Sequence, residues 1–215
     1  MDDIEVQKHA SNVYNLVTTM LCVYSVGAYM TSFLLNYIAE ITLISTIASF
    51  VFLFSTIFTK EPAKFYHSLM FALSLGFNSG YIIQYANNVD RSIIPASIVL
   101  TLGIFLVFSY MSKNIGEQVM VLLQSYLFSA LWGLVIVGFL FVLFPSTFRG
   151  AELLYCIIGI LTFCGFVTYD TALMYDRIRK GEIDYYFHAI NLFLDIINLF
   201  IKIVRVLTKL KDKKN

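Results

Sequence analysis

The run Y-Y-F-H-A-I-N-L-F-L-D-I-I-N-L-F-I-K-I-V-R-V, residues 185–206, is long enough to cross a bilayer and carries a single polar stripe. Asp184, His188, Asn191, Asp195, Asn198, Lys202, Arg205 and Lys209 follow one another at spacings of 4, 3, 4, 3, 4, 3 and 4. At 3.6 residues per turn these positions share one face, an arc of about 100°. Nearly everything between them is Phe, Leu, Ile, Val, Ala or Tyr. A soluble amphipathic helix has the reverse proportions, so most of this helix sees lipid or packed protein while the stripe faces something wetter. A charge at bilayer depth costs about 2.5–3.5 kcal/mol even on insertion scales. Such a residue marks a pathway, a proton relay or an ion site.

The rest of the chain has the same character. Of its 215 residues 59% are hydrophobic and 13% charged, against about 25% charged in an ordinary globular domain. The chain is therefore an all-α polytopic membrane protein whose first partner is the lipid bilayer. A net charge of +1 leaves no basic domain for a nucleic acid. The start, Met1-Asp2-Asp3-Ile4-Glu5, is acidic and lacks a signal peptide's basic region and cleavage site, so an unprocessed chain is expected. Cys22, Cys156 and Cys164 sit in apolar stretches without metal-ligand spacing and read as buried free thiols.

Apolar runs of spanning length occur at about 13–35, 41–58, 66–87, 93–111, 117–144, 152–175 and 185–206, separated by short polar breaks. No internal repeat is evident, and one domain over 1–215 is expected, ending in a basic tail at 207–215. With seven crossings the two sides carry seven and eight Lys or Arg, which decides nothing. With a last segment that returns or lies obliquely, the balance becomes thirteen against two, which points both termini to the cytosol.

Asp170, near the end of the sixth run, and Asp195, in the middle of the seventh, flank a charged hairpin in which Gly181 is a natural helix terminator. Each lies about 12 residues, or ~18 Å, from that turn, so the two are expected at matched depth on neighbouring helices. Two carboxylates brought together in low dielectric cannot both ionise cheaply, so the pair shares a proton. It would be latched when protonated and open when anionic, with hard oxygens that suit weak Ca2+ binding.

These residues resemble the Bax inhibitor-1 family, and its eukaryotic Bax inhibitor-1 branch in particular. The segments C-G-F-V-T-Y-D-T-A-L-M-Y-D at 164–176 and D-Y-Y-F-H-A-I-N-L-F-L-D-I-I-N-L-F at 184–200 are similar to the family's C-G-F-V-x-x-D-T-x-L and D-Y-x-x-H-x-x-D-L-F-L-D. A weaker likeness covers His9 to Tyr29, and residues 66–150 agree in layout more than in identity. The resemblance implies a bundle of six to seven transmembrane helices with the last segment central. It also implies a pH-sensitive Ca2+ leak from the endoplasmic reticulum, with no tightly bound cofactor, and suppression of cell death. It assigns the gating and proton-sensing pair to Asp170 and Asp195 and the basic latch partner to Lys64, where relatives often have Arg; the stripe itself marks His188, Asn191, Asn198 and Lys202 as pathway lining. Asn191 stands where Asp is usual, Gln84 where Glu is common, and Gly80-Tyr81 replaces Gly-Pro. Lys211 and Lys213 resemble a dilysine retrieval signal, which is read in the cytosol.

Two enzyme readings compete and lack their motifs. Tyr169-Asp170 with Asp195 is similar to presenilin-type aspartyl proteases, but Asp195 follows Leu192-Phe193-Leu194 rather than Gly-x-Gly, and no Pro follows Pro145. A rhomboid-type serine protease needs Gly-x-Ser-Gly, and Gly76-Phe77-Asn78-Ser79-Gly80 has the wrong spacing. A non-enzyme is expected. The alternative to a leak is a non-conducting scaffold that acts through apoptosis-regulating membrane proteins.

Overall fold

A computed structural model describes residues 3–144, 150–181 and 184–213. Among them are seven helices: α1 (Asp3–Met30), α2 (Ile38–Phe58), α3 (Ala63–Val89), α4 (Ile93–Met111), α5 (Glu117–Leu143), α6 (Glu152–Arg179) and α7 (Tyr185–Asp212). Short 3-10 turns at Thr31–Phe33, Leu35–Tyr37 and Ser112–Asn114 join some of them. The helices outrun the apolar segments read from sequence, most at the start of α1 and the end of α7, because polar residues continue a helix once it leaves lipid. Gly181, at φ 92°, ends α6 in the left-handed conformation that a Cβ disfavours. Asp184 caps α7 by accepting a hydrogen bond from the Tyr186 amide at 3.1 Å.

Helices α1, α2, α4, α5 and α6 are long and apolar enough to cross a membrane. Helix α7 is as long but too polar by composition, and the fold accommodates it by surrounding it. It packs against α1, α3, α4 and α6, while α2 lies on α3 and α5 lies on α6. Phe193, Leu192, Leu199 and Val204 of α7 are fully buried. Phe50, Phe54 and Phe58 of α2 and Phe128, Trp132 and Phe139 of α5 point outward, as a lipid-facing shell requires. Cys156 and Cys164 are buried free thiols, but Cys22 is exposed on the outer side of α1, so its apolar neighbours signalled lipid rather than core.

Four ion pairs fix the direction of the helices. Lys64 at the start of α3 meets Asp184 before α7 at 2.5 Å, and Asp90 after α3 meets Lys211 at the end of α7 at 2.6 Å, so α3 and α7 run parallel. Lys180 after α6 meets Glu117 at the start of α5 at 3.0 Å, and Lys209 of α7 pairs with Glu152 at the start of α6. The His9 ring of α1 lies 6.1 Å from Tyr185 and 6.5 Å from His188, at the hairpin end. Helix α7, 28 residues and about 42 Å long, therefore runs from one end of the bundle to the other.

The sequence leaves open whether the last segment crosses or returns; in the structure α7 passes through the whole bundle. The polar stripe is accommodated within the bundle, so nothing forces the chain to turn back. The start of α1 and the end of α7 lie at opposite ends of the bundle, the arrangement for which the charge count is seven against eight.

Candidate functional site

Helices α6 and α7 form an antiparallel hairpin in which Asp195, Lys202 and Lys209 of the stripe face α6, in register about the turn. Asp195 meets Asp170, Lys202 meets Gly159 and Tyr155, and Lys209 meets Glu152. The carboxyl groups of Asp170 and Asp195 face each other, close enough to share a hydrogen bond if one is protonated. Both residues are buried, at 8% and 4% exposure, so neither charge is dispersed by water. Asp195 Oδ2 has no hydrogen-bond partner among the described residues. A buried acceptor left in that state costs about 1–3 kcal/mol, more if charged, so the pair needs either a shared proton or a cation.

The neighbours are polar but uncharged. Thr168 Oγ1 donates to the Cys164 carbonyl at 3.1 Å, and the Ser109 and Thr171 hydroxyls meet at 3.4 Å across α4 and α6. The cation acting electrostatically on Asp170 is Arg177, two turns further along α6, whose guanidinium also lies 5.2 Å from the Phe187 ring centre. Sequence reading missed Arg177, although the i, i+7 spacing from Asp170 carries that signal.

Lys64, expected as the basic partner of the pair, sits elsewhere. Its ammonium holds Asp184 at 2.5 Å and lies 5.2 Å from the Tyr186 ring centre. Asp184 precedes Asp195 by 11 residues, about 16 Å along the helix, beyond the reach of a lysine already bound at the hairpin. Lys64 thus ties α3 to the start of α7.

The remaining stripe residues divide by depth. His188 is buried near the hairpin against Phe187 and His9, while Asn191 is half-buried. Asn198 turns back on its own helix, donating from Nδ2 to the Leu194 carbonyl at 2.9 Å. Lys202 lies across α6 with its ammonium 3.7 Å from the centre of the Tyr155 ring. Lys211 is in the last turn of α7 and bound to Asp90, while Lys213 follows the helix. Hydrogen bonds from Lys211 and from Ser92 hold the Asp90 carboxyl below the usual carboxylate range. Reading Lys211 as part of a retrieval signal would require that turn to open.

Ca2+ takes six to eight oxygen ligands. Among the described residues no group of three or more His, Cys, Asp or Glu side chains could hold a metal.

Comparison with known proteins places this geometry. Residues 6–212 match the family described as "Inhibitor of apoptosis-promoting Bax1". The chain belongs to the Bax inhibitor-1 family. It is 29% identical to Bax inhibitor 1 of Homo sapiens over 214 residues, which is 97% of this chain and 89% of the human protein. It is 30% identical to Bax inhibitor 1 of Oryza sativa over 190 residues, covering 88% and 76%, and 27% identical to that of Drosophila melanogaster over 216 residues, covering 97% and 85%. In this family member the two helices that carry the strongest sequence likeness are the pair whose seam holds the buried aspartates.

Proposed function

We propose that this Bax inhibitor-1 family protein is a pH-sensitive Ca2+ leak of the endoplasmic reticulum membrane, gated by Asp170 and Asp195, which lowers luminal Ca2+ and suppresses cell death. The observation that carries the reading is the juxtaposition of two buried carboxyls on the neighbouring helices α6 and α7, close enough to share a proton. With one proton between them the carboxyls bond and hold the seam closed. When that proton leaves, two anions at contact distance in low dielectric repel. The seam is then driven apart, and the freed oxygens attract a divalent cation.

The groups around the pair fit that role. Arg177 favours an anionic Asp170 from two turns away, and Tyr169 lies beside Asp170. His188 and Lys202, the nearest titratable groups on α7, are each seven residues from Asp195. The basic end of α7 is assigned to the cytosol on the likeness of Lys211 and Lys213 to a retrieval signal.

The purified protein in liposomes loaded with a Ca2+ dye tests this. Flux should rise by roughly tenfold or more between about pH 6 and about pH 8, since each pH unit moves a proton equilibrium tenfold. Flux that ignores pH, or none, would favour the scaffold reading, in which the protein acts on cell death through partner membrane proteins.

A further inference from the structure

At the end of the bundle where α7 finishes lies a cavity of about 230 Å³, walled by Glu152, Tyr155 and Cys156 of α6 and by Arg205, Lys209 and Asp212. Of its α6 residues, Tyr155 and Cys156 are the nearest in sequence to Gly159, about one turn short of it. Between there and the aspartate pair the α6–α7 seam is occupied by the Lys202 side chain. The stem lies so close over Gly159 that a Cβ there would come within 2.9 Å of Lys202 Cε, 3.1 Å of Cδ and 3.3 Å of Cγ. The ammonium rests 3.7 Å from the Tyr155 ring centre. Tyr155 is itself anchored, its hydroxyl donating to the Leu134 carbonyl of α5 at 3.1 Å.

Lys202 has no carboxylate at ion-pair distance among the described residues, unlike Lys64, Lys180, Lys209 and Lys211. A lysine that only needs to escape lipid extends its ammonium toward water or an acid at the interface. Glu152 lies one turn beyond Tyr155 and is taken by Lys209. Lys202 instead rests its amine on a ring between the cavity and the aspartates.

We infer that Lys202, laid over Gly159 and Tyr155, is a second closure of the pathway, a cationic plug between the Asp170–Asp195 pair and the cavity at the end of α7. This deepens the leak reading and rests on it. A cation leaving Asp195 along the seam meets an uncompensated ammonium, so conduction requires Lys202 to leave the Tyr155 ring. Three features of this chain make the plug: a lysine two turns after Asp195, a glycine that leaves room for its stem, and an aromatic ring that receives its charge.

The test is Ca2+ flux from the full-length protein in dye-loaded liposomes at a fixed pH of about 7. Lys202→Gln should raise the initial rate by about tenfold, since removing a facing unit charge lowers the barrier to a divalent ion. Gly159→Ala, which keeps the charge but pushes the stem off α6, should raise it in the same direction. Lys202→Arg, which preserves charge and ring stacking, should stay near wild type. Adding Asp195→Asn to Lys202→Gln should bring the rate back down, because the extra flux passes the aspartates.

Wild-type flux with Lys202→Gln and Gly159→Ala both at the wild-type rate would overturn the plug while leaving the leak intact. A high rate that survives Asp195→Asn would also overturn the plug, as non-specific leakage. Absence of flux from the wild-type protein would overturn the leak and the plug together.

Discussion

Asp195→Asn is expected to hold Ca2+ flux at the low-pH level of the wild type at every pH from about 6 to about 8, removing the roughly tenfold rise. Asparagine has the shape of a protonated aspartic acid and can donate its amide hydrogen to Asp170, so the seam keeps its closing hydrogen bond whatever the pH. It cannot become anionic, so neither the repulsion that opens the hairpin nor the second hard ligand is available. The sign follows from the charge: the anionic pair exists above its titration and is lost as pH falls through it, so flux should be present on the alkaline side. Stopped-flow dye measurements on liposomes at matched protein density check this. A variant whose flux still rises with pH would remove Asp195 from the gate.

Gly76→Ala should have the largest effect on stability. Helices α1 and α3 cross where Gly27 of one lies against Gly76 of the other, and a Cβ at Gly76 would lie 2.2 Å from the Tyr24 carbonyl oxygen. At Gly27 it would lie 2.5 Å from the Leu73 carbonyl oxygen. The obstacle in each case is backbone, which cannot rotate aside, so the helices must separate. Gly76 and Gly80 form a G-x-x-x-G face of the kind that lets membrane helices approach closely.

Overpacking typically costs about 1–3 kcal/mol, and the upper end applies here, a fall in Tm of about 6–12 °C for a chain of this size. Heating the detergent-solubilised protein with a thiol-reactive dye reads it out, because buried Cys156 and Cys164 become reactive on unfolding. Gly103→Ala is the control, since nothing lies within 4 Å of a Cβ there, and its Tm should not fall. Equal Tm values for the two variants would contradict the close crossing.

The site was more legible than the path of the chain around it. The 3–4 spacing of the stripe and the placing of Asp170 and Asp195 about one turn residue are local properties of two helices and a hairpin, so they survive into the fold. The crossing of α7 was not legible. It depends on what satisfies the stripe, which is α6 for Asp195, Lys202 and Lys209, α3 for Asp184 and α1 for His188, while the basic residues divide almost evenly between the two sides. Lys64 was assigned to the right loop and the wrong carboxylate, because Asp184 at the hairpin intercepts it before it can reach Asp195. Arg177 was overlooked because a charge near a helix end looks like a solvated one. Gly27 and Gly76 were visible as small residues, but the reciprocal contact between them is a long-range fact. Cys22 shows the limit of apolar context in a membrane chain, where it marks lipid as readily as core.

Infrared difference spectroscopy of the wild type against Asp170→Asn and Asp195→Asn at neutral pH addresses the shared proton itself. The wild type should show the carbonyl band of one protonated carboxylic acid in the protein interior, and both variants should lose it, since the proton belongs to the two residues jointly. A wild-type spectrum without that band, or one that persists after either replacement, would mean that the two aspartates do not hold a proton between them.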